Sequence, residues 1–501
     1  MTTLMIVAAL LFVTMIPRSA KYFHGRLLTT VENAPLSFFT STDTGQIVNR
    51  FSQDLSVIDS ELPLAGLILA NNVCVAAIQA IFICISAPYF AAVLPFVLFL
   101  TYILQMFYLR TSRQIRIMDL EAKAPLSSLF LETLSGLATI RAFGWTKGIE
   151  KQNRRLLDTS QKPFYLLFCV QRWLALVVDL SVAALAVILV ALIVKFRHSS
   201  DAGFVGVALI NIMTFNTTLS VVIQHWTAIE TSLGAISRIK AFSEETACEN
   251  LPQECFAVQA AWPSEGCVVI SDLSASYAPG QETVLRNLNL VISSGQKIGI
   301  CGPSGSGKSS LVAVLLHLLE ISGGFIAIDG VDITNIPRNV LRNRLTVIPQ
   351  DPLFLKGTIR ENLDPFDLED AARLEDVLKR VGLWTIVNNA GGVDMPMVAE
   401  ELLSHGQRQL FCLARAMLNT SKIVIIDEAT ASVDLQTDDL MQEIIEDNFA
   451  HCTVIAVAHR LQTIRNYDSI VVFERGRIVE YGEPGALLAD ACSKFKKLWD
   501  A

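Results

Sequence analysis

The first 242 residues alternate long apolar runs with charged stretches. Leu64 to Ile85 and Tyr89 to Tyr108 each have the length of one bilayer, since a spanning helix needs roughly 20 apolar residues. Ser86-Ala87-Pro88 between them predicts a tight hairpin. Trp173 to Val194 and Gly203 to Gln224 form a second pair of spans, with Lys195 to Ala202 as the connecting loop. Leu4 to Ile16 is apolar but too short to cross, and predicts a partial span (4–16) whose beginning is missing. A secretory signal fits it less well, because no positive charge precedes it and Arg18-Ser19-Ala20 makes a poor cleavage site.

The intervening segments 17–63 and 109–163 hold most of the positive charge, including Arg18, Lys21, Arg26 and Arg50 in the first and Arg110, Arg113, Arg116 and Arg154 in the second. By the positive-inside rule they are expected to be cytosolic loops, against Lys195 and Arg197 on the opposite side. Residues 1–242 therefore read as a multi-pass transmembrane domain. Residues 243–265, with two prolines and several acids, read as a linker. From 266 to 501 the pattern changes to short Val/Ile runs alternating with helical stretches. Val268-Val269-Ile270, Lys297 to Cys301, Phe325 to Asp329, Leu345 to Pro349, Ile423 to Asp427, Val454 to Val457 and Ile470 to Phe473 are predicted strands of an α/β domain.

The chemistry sits in that domain. Gly302-Pro303-Ser304-Gly305-Ser306-Gly307-Lys308-Ser309 fits the phosphate-loop pattern G-x-x-x-x-G-K-[ST] at every fixed position. Its glycines let backbone N–H groups turn onto phosphate oxygens, Lys308 adds a mobile positive charge, and the Ser309 hydroxyl ligates Mg²⁺. A strand precedes the loop and a helix starting at Ser310 follows it, so phosphates are expected at a helix N-terminus. Ile423 to Glu428 is a buried strand ending in two acids: Asp427 is expected to hold Mg²⁺ directly or through water, and Glu428 to polarise an attacking water as general base. The nucleotide domain must then face the cytosol.

Composition narrows the class. A mean hydropathy of +0.45, with 52% hydrophobic and 18% charged residues, is too apolar for a wholly soluble chain, in which roughly 25% charged is usual. A net charge of −8 and the lack of any basic run with interleaved aromatics argue against a nucleic-acid partner. The ten cysteines are scattered without a C-x-x-C pair, and read as small buried hydrophobes in a reducing compartment.

Together these motifs resemble the ATP-binding cassette transporters. Tyr277 matches the aromatic that stacks on adenine and Gln350 the loop glutamine that senses Mg²⁺ and the membrane domain. Ser404-His405-Gly406-Gln407 matches the signature, Ser432-Val433-Asp434 the D-loop, and His459 the switch histidine near the γ-phosphate. The resemblance implies a type 1 exporter membrane domain followed by an α/β P-loop ATPase. It implies ATP and Mg²⁺ as cofactors, bound by Tyr277, Gly302 through Ser310, Gln350 and Asp427, with Ser309, Gln350 and Asp427 toward the metal and Lys308, Glu428 and His459 catalytic. Ser404, Gly406 and Gln407 would serve a second site, shared with a partner nucleotide domain.

The likeness extends to the C subfamily of multidrug-resistance-associated exporters. Trp262-Pro263-Ser264-Glu265-Gly266, Arg344 to Pro352 and Glu361-Asn362-Leu363-Asp364-Pro365-Phe366 look like its second nucleotide domain. Ala34-Pro35-Leu36-Ser37-Phe38-Phe39, Gly45 to Ser52 and Gly136 to Gly144 look like its cytosolic loops. On this reading the chain starts inside the second helix of the second membrane domain, and a first half is missing. His405 replaces the usual small or aliphatic signature residue, Ala399-Glu400-Glu401-Leu402 lacks the usual glycines, and Val177 stands where many members have arginine.

The implied activity is ATP-driven export of an amphipathic organic compound, in contact with membrane lipid, across a plasma or vacuole-like membrane. The alternatives are an ATP-gated regulatory or channel-like member and a truncated product inactive without its partner half. Asp179 reads either as a pathway residue or as a charge nearer the cytosolic end of its span. Asn211, Thr214, Asn216 and Thr217 read as helix–helix glue or cavity lining, and Trp226 as an interfacial anchor.

Overall fold

A computed structural model of the chain describes residues 2–86, 94–195, 202–278, 280–397, 402–429, 434–458 and 460–500. The fold divides into two units, one of Met1–Glu32 with Asp43–Thr246 and one of Asn33–Thr42 with Ala247–Ala501.

The first unit is helical. Helices α1 (Thr2–Leu10) and α2 (Ile16–Glu32) are joined by a π-helical turn, Leu11–Met15, so the segment expected as a partial span runs on to Glu32 as one helix. Pro17 explains the turn: it has no N–H to return to the preceding turn, and a π-bulge absorbs the break. After α3 (Leu36–Ser41), counted with the second unit, come α4 (Thr44–Asn49), two more π turns (Arg50–Asp54, Val57–Glu61) and α5 (Leu62–Ser86). Helices α6 (Leu94–Ser135), α7 (Leu137–Ala142), α8 (Thr146–Lys195) and α9 (Ala202–Glu245) complete the unit.

The segments 17–63 and 109–163, expected as loops, are thus largely helical. Their charges continue the helices through i,i+4 pairs such as Lys123–Asp119 at 2.7 Å and Arg154–Glu150 at 2.6 Å. Among the described residues three helices are long and apolar enough to cross a membrane, Met5–Glu32, Thr44–Ile85 and Thr146–Ile188. They contain the expected stretches 4–16 and 64–85 and most of 173–194, while 203–224 lies in α9. Of the expected span 89–108, residues 89–93 lie outside the described residues, as do the hairpin residues Ala87 and Pro88 and loop residues 196–201.

Helices α5 and α9 pack together, as do α6 and α8. Tyr108, Leu174, Val178, Phe215, Leu219 and Ile223 form one buried cluster, and Leu27, Leu55, Ile58, Ala235 and Ile239 another. Thr214 bridges helices by accepting from Gln79 Nε2 at 3.2 Å, whereas Asn211 and Thr217 bond carbonyls of their own helix. The Asn216 side chain lies outside the described residues. Asp179 and Trp226 are exposed.

The second unit holds two sheets. Strands β1 (Val268–Ser276), β2 (Leu285–Ile292), β4 (Glu320–Ile328) and β5 (Val331–Asp332) form an antiparallel sheet in the order β2-β1-β4-β5. Strands β3 (Lys297–Cys301), β6 (Leu345–Ile348), β7 (Ile423–Asp427), β8 (Thr453–Val457), β9 (Ser469–Glu474) and β10 (Arg477–Gly482) form the second, in the order β10-β9-β3-β8-β7-β6. In it β6, β7, β8, β3 and β9 run parallel, and β10 turns back antiparallel on β9. The parallel strands are nearly continuous apolar runs because both of their faces are covered. The carboxyl ends of β3 and β7, from which the phosphate loop and the acid pair emerge, therefore open on one edge of the sheet, where α/β ligands bind.

The expected linker is structured. Residues 243–245 belong to α9, and Trp262 is buried with its Nε1 donating to Ile328 O at 3.1 Å. Asp329 closes the turn after β4: its carboxylate accepts the backbone N–H groups of Ser264 (2.7 Å), Glu265 (3.0 Å) and Cys267 (2.7 Å). Burial pushes its pKa up, but these N–H groups outweigh burial and hold it below the usual carboxylate range. Such stabilisation is complete above the unfolded value, near pH 4, and disappears as pH falls through the lower folded value. Asp329→Asn turns an amide N–H₂ toward one of the donors and is expected to cost about 1–3 kcal/mol. Thermal melting followed by tryptophan fluorescence should show the mutant melting lower at neutral pH, with the gap closing below about pH 4.

Candidate functional site

The phosphate loop is shaped by backbone approach. A Cβ on Gly302 would stand 2.2 Å from Phe473 O of β9, so only glycine lets β3 leave the sheet at that point. Gly307, at φ 105°, caps α10 (Lys308–Leu315) in a left-handed conformation open to glycine. Lys308 is buried, its Nζ donating to Gly302 O at 2.9 Å and Pro303 O at 3.2 Å and lying 4.0 Å from Glu428 Oε1.

Glu428, the residue after β7, sits at φ 45°, a conformation that is uncommon for a side-chain-bearing residue and clusters at functional sites. Its N–H donates to Val457 O of β8 at 3.0 Å, which fixes the turn, and its Oε2 accepts from Gln350 Nε2 at 3.2 Å. Burial, together with the neighbouring Glu428 charge, raises the Asp427 pKa against the opposing pull of Lys308 and Ser309. Its Oδ1 is buried without a protein partner among the described residues, as is Ser306 Oγ. Tyr277 OH and Ser310 Oγ lie 3.1 Å apart.

A cavity of about 690 Å³ brings these parts together. Its lining includes Tyr277, Ser304, Gly305, Gly307, Lys308, Ser309, Ser310, Gln350 and Glu428. Gly302 and Pro303 hold the lysine from behind, and the peptide oxygen of Ser306 accepts from Gly476 N at 2.8 Å. The sequence-predicted loop, aromatic, glutamine and Glu428 thus line one cavity, and Asp427 precedes Glu428 at the end of β7 without lining it. A hard divalent cation fits the donor set, since Ser309 and Gln350 supply neutral oxygens and Asp427 an orphaned buried carboxylate oxygen. Among the described residues no group of three or more His, Cys, Asp and Glu forms a metal cage, so water or phosphate oxygens would complete the shell of such an ion.

Ser404, Gly406 and Gln407 do not line this cavity. Ser404 caps the helix His405–Met417 in a reciprocal box: its N–H donates to Gln407 Oε1 at 2.9 Å and its Oγ accepts from Gln407 N at 3.3 Å. His405 is exposed and Gly406 buried. His459, Ser432 and Val433, and Ala399 to Glu401, lie outside the described residues. Asp434 caps the helix Leu435–Asn448 through Thr437, whose bonds lower the Asp434 pKa.

Two residues that brace this region were not singled out from the sequence. Gln409, one turn into the signature helix and buried, donates its amide to Gln350 O at 2.5 Å. Arg415 donates to Asn362 O at 2.8 Å and to Leu353 O at 3.3 Å, its guanidinium facing the Phe354 and Phe411 rings. An i, i+3, i+4 count on that helix would have flagged Gln409 as a polar residue on an otherwise buried face.

With the geometry in hand, two family models match the chain: residues 1–223 match an ABC transporter transmembrane region and residues 285–431 an ABC transporter domain. Among curated relatives, "ABC multidrug transporter B" of Aspergillus fumigatus is 47% identical over 97% of this chain and 33% of its own length. "ABC-type transporter FG02316" of Gibberella zeae is 48% identical over 96% of this chain and 32% of its own length. "ABC transporter atnG" of Emericella nidulans is 46% identical over 99% of this chain and 32% of its own length. The chain spans about a third of the length of these relatives.

Gln409→Ala leaves the Gln350 carbonyl without its side-chain donor and frees the Gln350–Glu428 contact. The expected outcome is nucleoside triphosphate binding within about twofold of wild type and hydrolysis lowered by about tenfold, the share of a general base that is no longer held in register. Binding of a fluorescent ATP analogue alongside phosphate release checks both halves.

Proposed function

The chain carries the transmembrane region and the nucleotide-binding domain of the ABC transporter family, and on that premise we propose that it couples ATP hydrolysis to export of an amphipathic organic compound across a membrane. The observation that carries the hydrolytic reading is Glu428, fixed at φ 45° within 4.0 Å of Lys308 Nζ and hydrogen-bonded to Gln350. A carboxylate so placed beside the phosphate loop suits a general base for an attacking water.

In this reading Tyr277 lies against the base, Gly302 through Ser310 surround the phosphates, and Lys308 offsets their charge. Ser309, Asp427 and Gln350 would hold Mg²⁺, which would supply positive charge to offset that of the phosphates. His459 attends the γ-phosphate. The signature residues Ser404, Gly406 and Gln407 complete a site on a second nucleotide domain, supplied by another transporter half. Their absence from the lining of this chain's own phosphate cavity supports that division. The nucleotide domain lies in the cytosol, and the motifs around Trp262, Arg344 and Glu361 favour the multidrug-resistance-associated C subfamily.

The membrane unit supports an amphipathic cargo. A cavity of about 630 Å³ places Tyr108, Leu167 and Ile117 beside Arg116, Glu61 and Gln224, so apolar wall and fixed charge of both signs share one space. Asp54, which also lines it, is compensated by Arg50 at 2.8 Å and Arg238 at 2.5 Å, and Arg113 pairs with Glu230.

Glu428→Gln keeps the hydrogen bond from Gln350 but removes the base. In membrane vesicles it should bind ATP as wild type does while hydrolysis falls at least about a hundredfold, the usual share of a general base. Unchanged hydrolysis would remove Glu428 from the mechanism, and hydrolysis without vesicle uptake of any amphipathic probe would favour the gating alternative.

A further inference from the structure

The segment between α9 and β1 supplies two carboxylates, Glu249 and Glu254, to a charge cluster that the nucleotide chemistry does not use. Arg338, at the start of α11 (Arg338–Asn343), has a side chain 1% exposed. Its Nε donates to Glu254 Oε1 and its Nη2 to Glu320 Oε1, both at 2.9 Å, and Nη1 lies 3.8 Å from Glu249 Oε1. Arg342, one turn on, pairs with Glu249 through both terminal nitrogens, Nη1 to Oε2 at 3.1 Å.

Both guanidiniums point at the far end of the phosphate-loop helix. Arg342 Nε donates to Leu316 O at 3.0 Å and Nη2 to His317 O at 3.0 Å, and Arg338 Nη1 donates to His317 O at 3.3 Å. The carbonyls that follow α10 are therefore capped by two cations, which also suit the negative end of the helix dipole. His317, at φ 50° and buried beside these cations, has its pKa lowered to about 4 by burial and by Arg338, so it adds no charge at neutral pH. Of the three carboxylates facing the pair, two belong to the segment 247–256. That segment is also tied to Asn33, the residue after α2, through Glu249 N to Asn33 O at 2.6 Å and Asn250 Nδ2 to Asn33 Oδ1 at 3.2 Å.

We propose that Glu249 and Glu254 are positioning residues for the nucleotide site: by holding Arg338 and Arg342 on the Leu316 and His317 carbonyls they seat α10, whose other end carries Lys308 and Ser309. Withdrawal of the segment leaves the buried Arg338 with Glu320 as its remaining carboxylate and the half-buried Arg342 without Glu249, and loosens the hold on the helix. Docking of 247–256 and binding of nucleotide are then linked, and each strengthens the other by the same factor. The segment is bonded to Asn33, the residue after α2, and follows Thr246 in the chain. The inference rests on the ATP-binding reading above.

The test uses the full chain in membranes, with ATP and its non-hydrolysable imido analogue as probes. Hydrogen–deuterium exchange across 247–256 of the wild-type chain should slow about fivefold or more when either nucleotide binds, the lower range of measured site-to-site couplings. In Glu249→Gln with Glu254→Gln that protection should vanish, and the ATP concentration for half-maximal hydrolysis should rise about fivefold with the maximal rate within about twofold. Glu254→Asp, which restores the charge, should recover part of both. Exchange in 247–256 that ignores nucleotide while the wild-type chain binds ATP overturns the proposal alone, whether or not the variants fold. A folded double variant with wild-type ATP affinity also overturns it. Failure of the wild-type chain to bind ATP overturns the underlying reading and this proposal with it.

Discussion

A buried ammonium must be matched by acceptors and by opposite charge, and Lys308 imposes that constraint on the nucleotide domain. Two loop carbonyls, Gly302 O and Pro303 O, curl round it, and Glu428 supplies the countercharge from the end of a strand two places away in the sheet. To reach it the chain after Asp427 turns through a left-handed residue, braced by the Val457 carbonyl of the strand lying between. The loop, the acid pair and β8 are therefore specified together, and Gln350 joins them by donating to the same carboxylate. A phosphate entering this site would compete with the two carbonyls and the carboxylate for the three protons of the Lys308 ammonium.

What was legible in the sequence was what is local. The phosphate loop and the strand ending in Asp427-Glu428 are each set by residues close in sequence, and each stands where its pattern placed it. The loss came with distance along the chain. Gln350 meets Glu428 across 78 positions and Arg338 meets Glu254 across 84, and no spacing rule covers contacts that only the fold creates. Glu249 and Glu254 illustrate the cost. Acids among prolines read as a solvated linker, yet they are counterions to cations that are themselves invisible until α11 is folded against α10.

In the membrane unit, hydropathy located the apolar stretches but misjudged their ends. A helix does not stop where its residues become charged, because its backbone bonds are satisfied internally on either side of a bilayer boundary and i,i+4 ion pairs sustain it in water. Hence 17–63 and 109–163 are mostly helix. Proline inside such a run does not end it: Pro17 lies two residues past a π turn, and Pro125 and Pro163 lie within α6 and α8. Polar residues on the spans divide in the same physical terms: Asn211 and Thr217 satisfy themselves on their own helix, and Thr214 alone of the three also accepts from a neighbouring one.

The phosphate-loop helix is the element on which both lines of argument meet. At its N-terminus the dipole and Lys308 face the acids and the space for phosphates; at its C-terminus two guanidiniums hold the last carbonyls. An eight-residue helix is too short to be stable by propensity, so its position is set by what grips its two ends and by the packing of Leu311, Val314 and Leu315 into the sheet core. One grip is chemical and changes with nucleotide. The other is structural and belongs to the segment that follows α9, so α10 is held at one end by the charges facing Lys308 and at the other by Arg338 and Arg342.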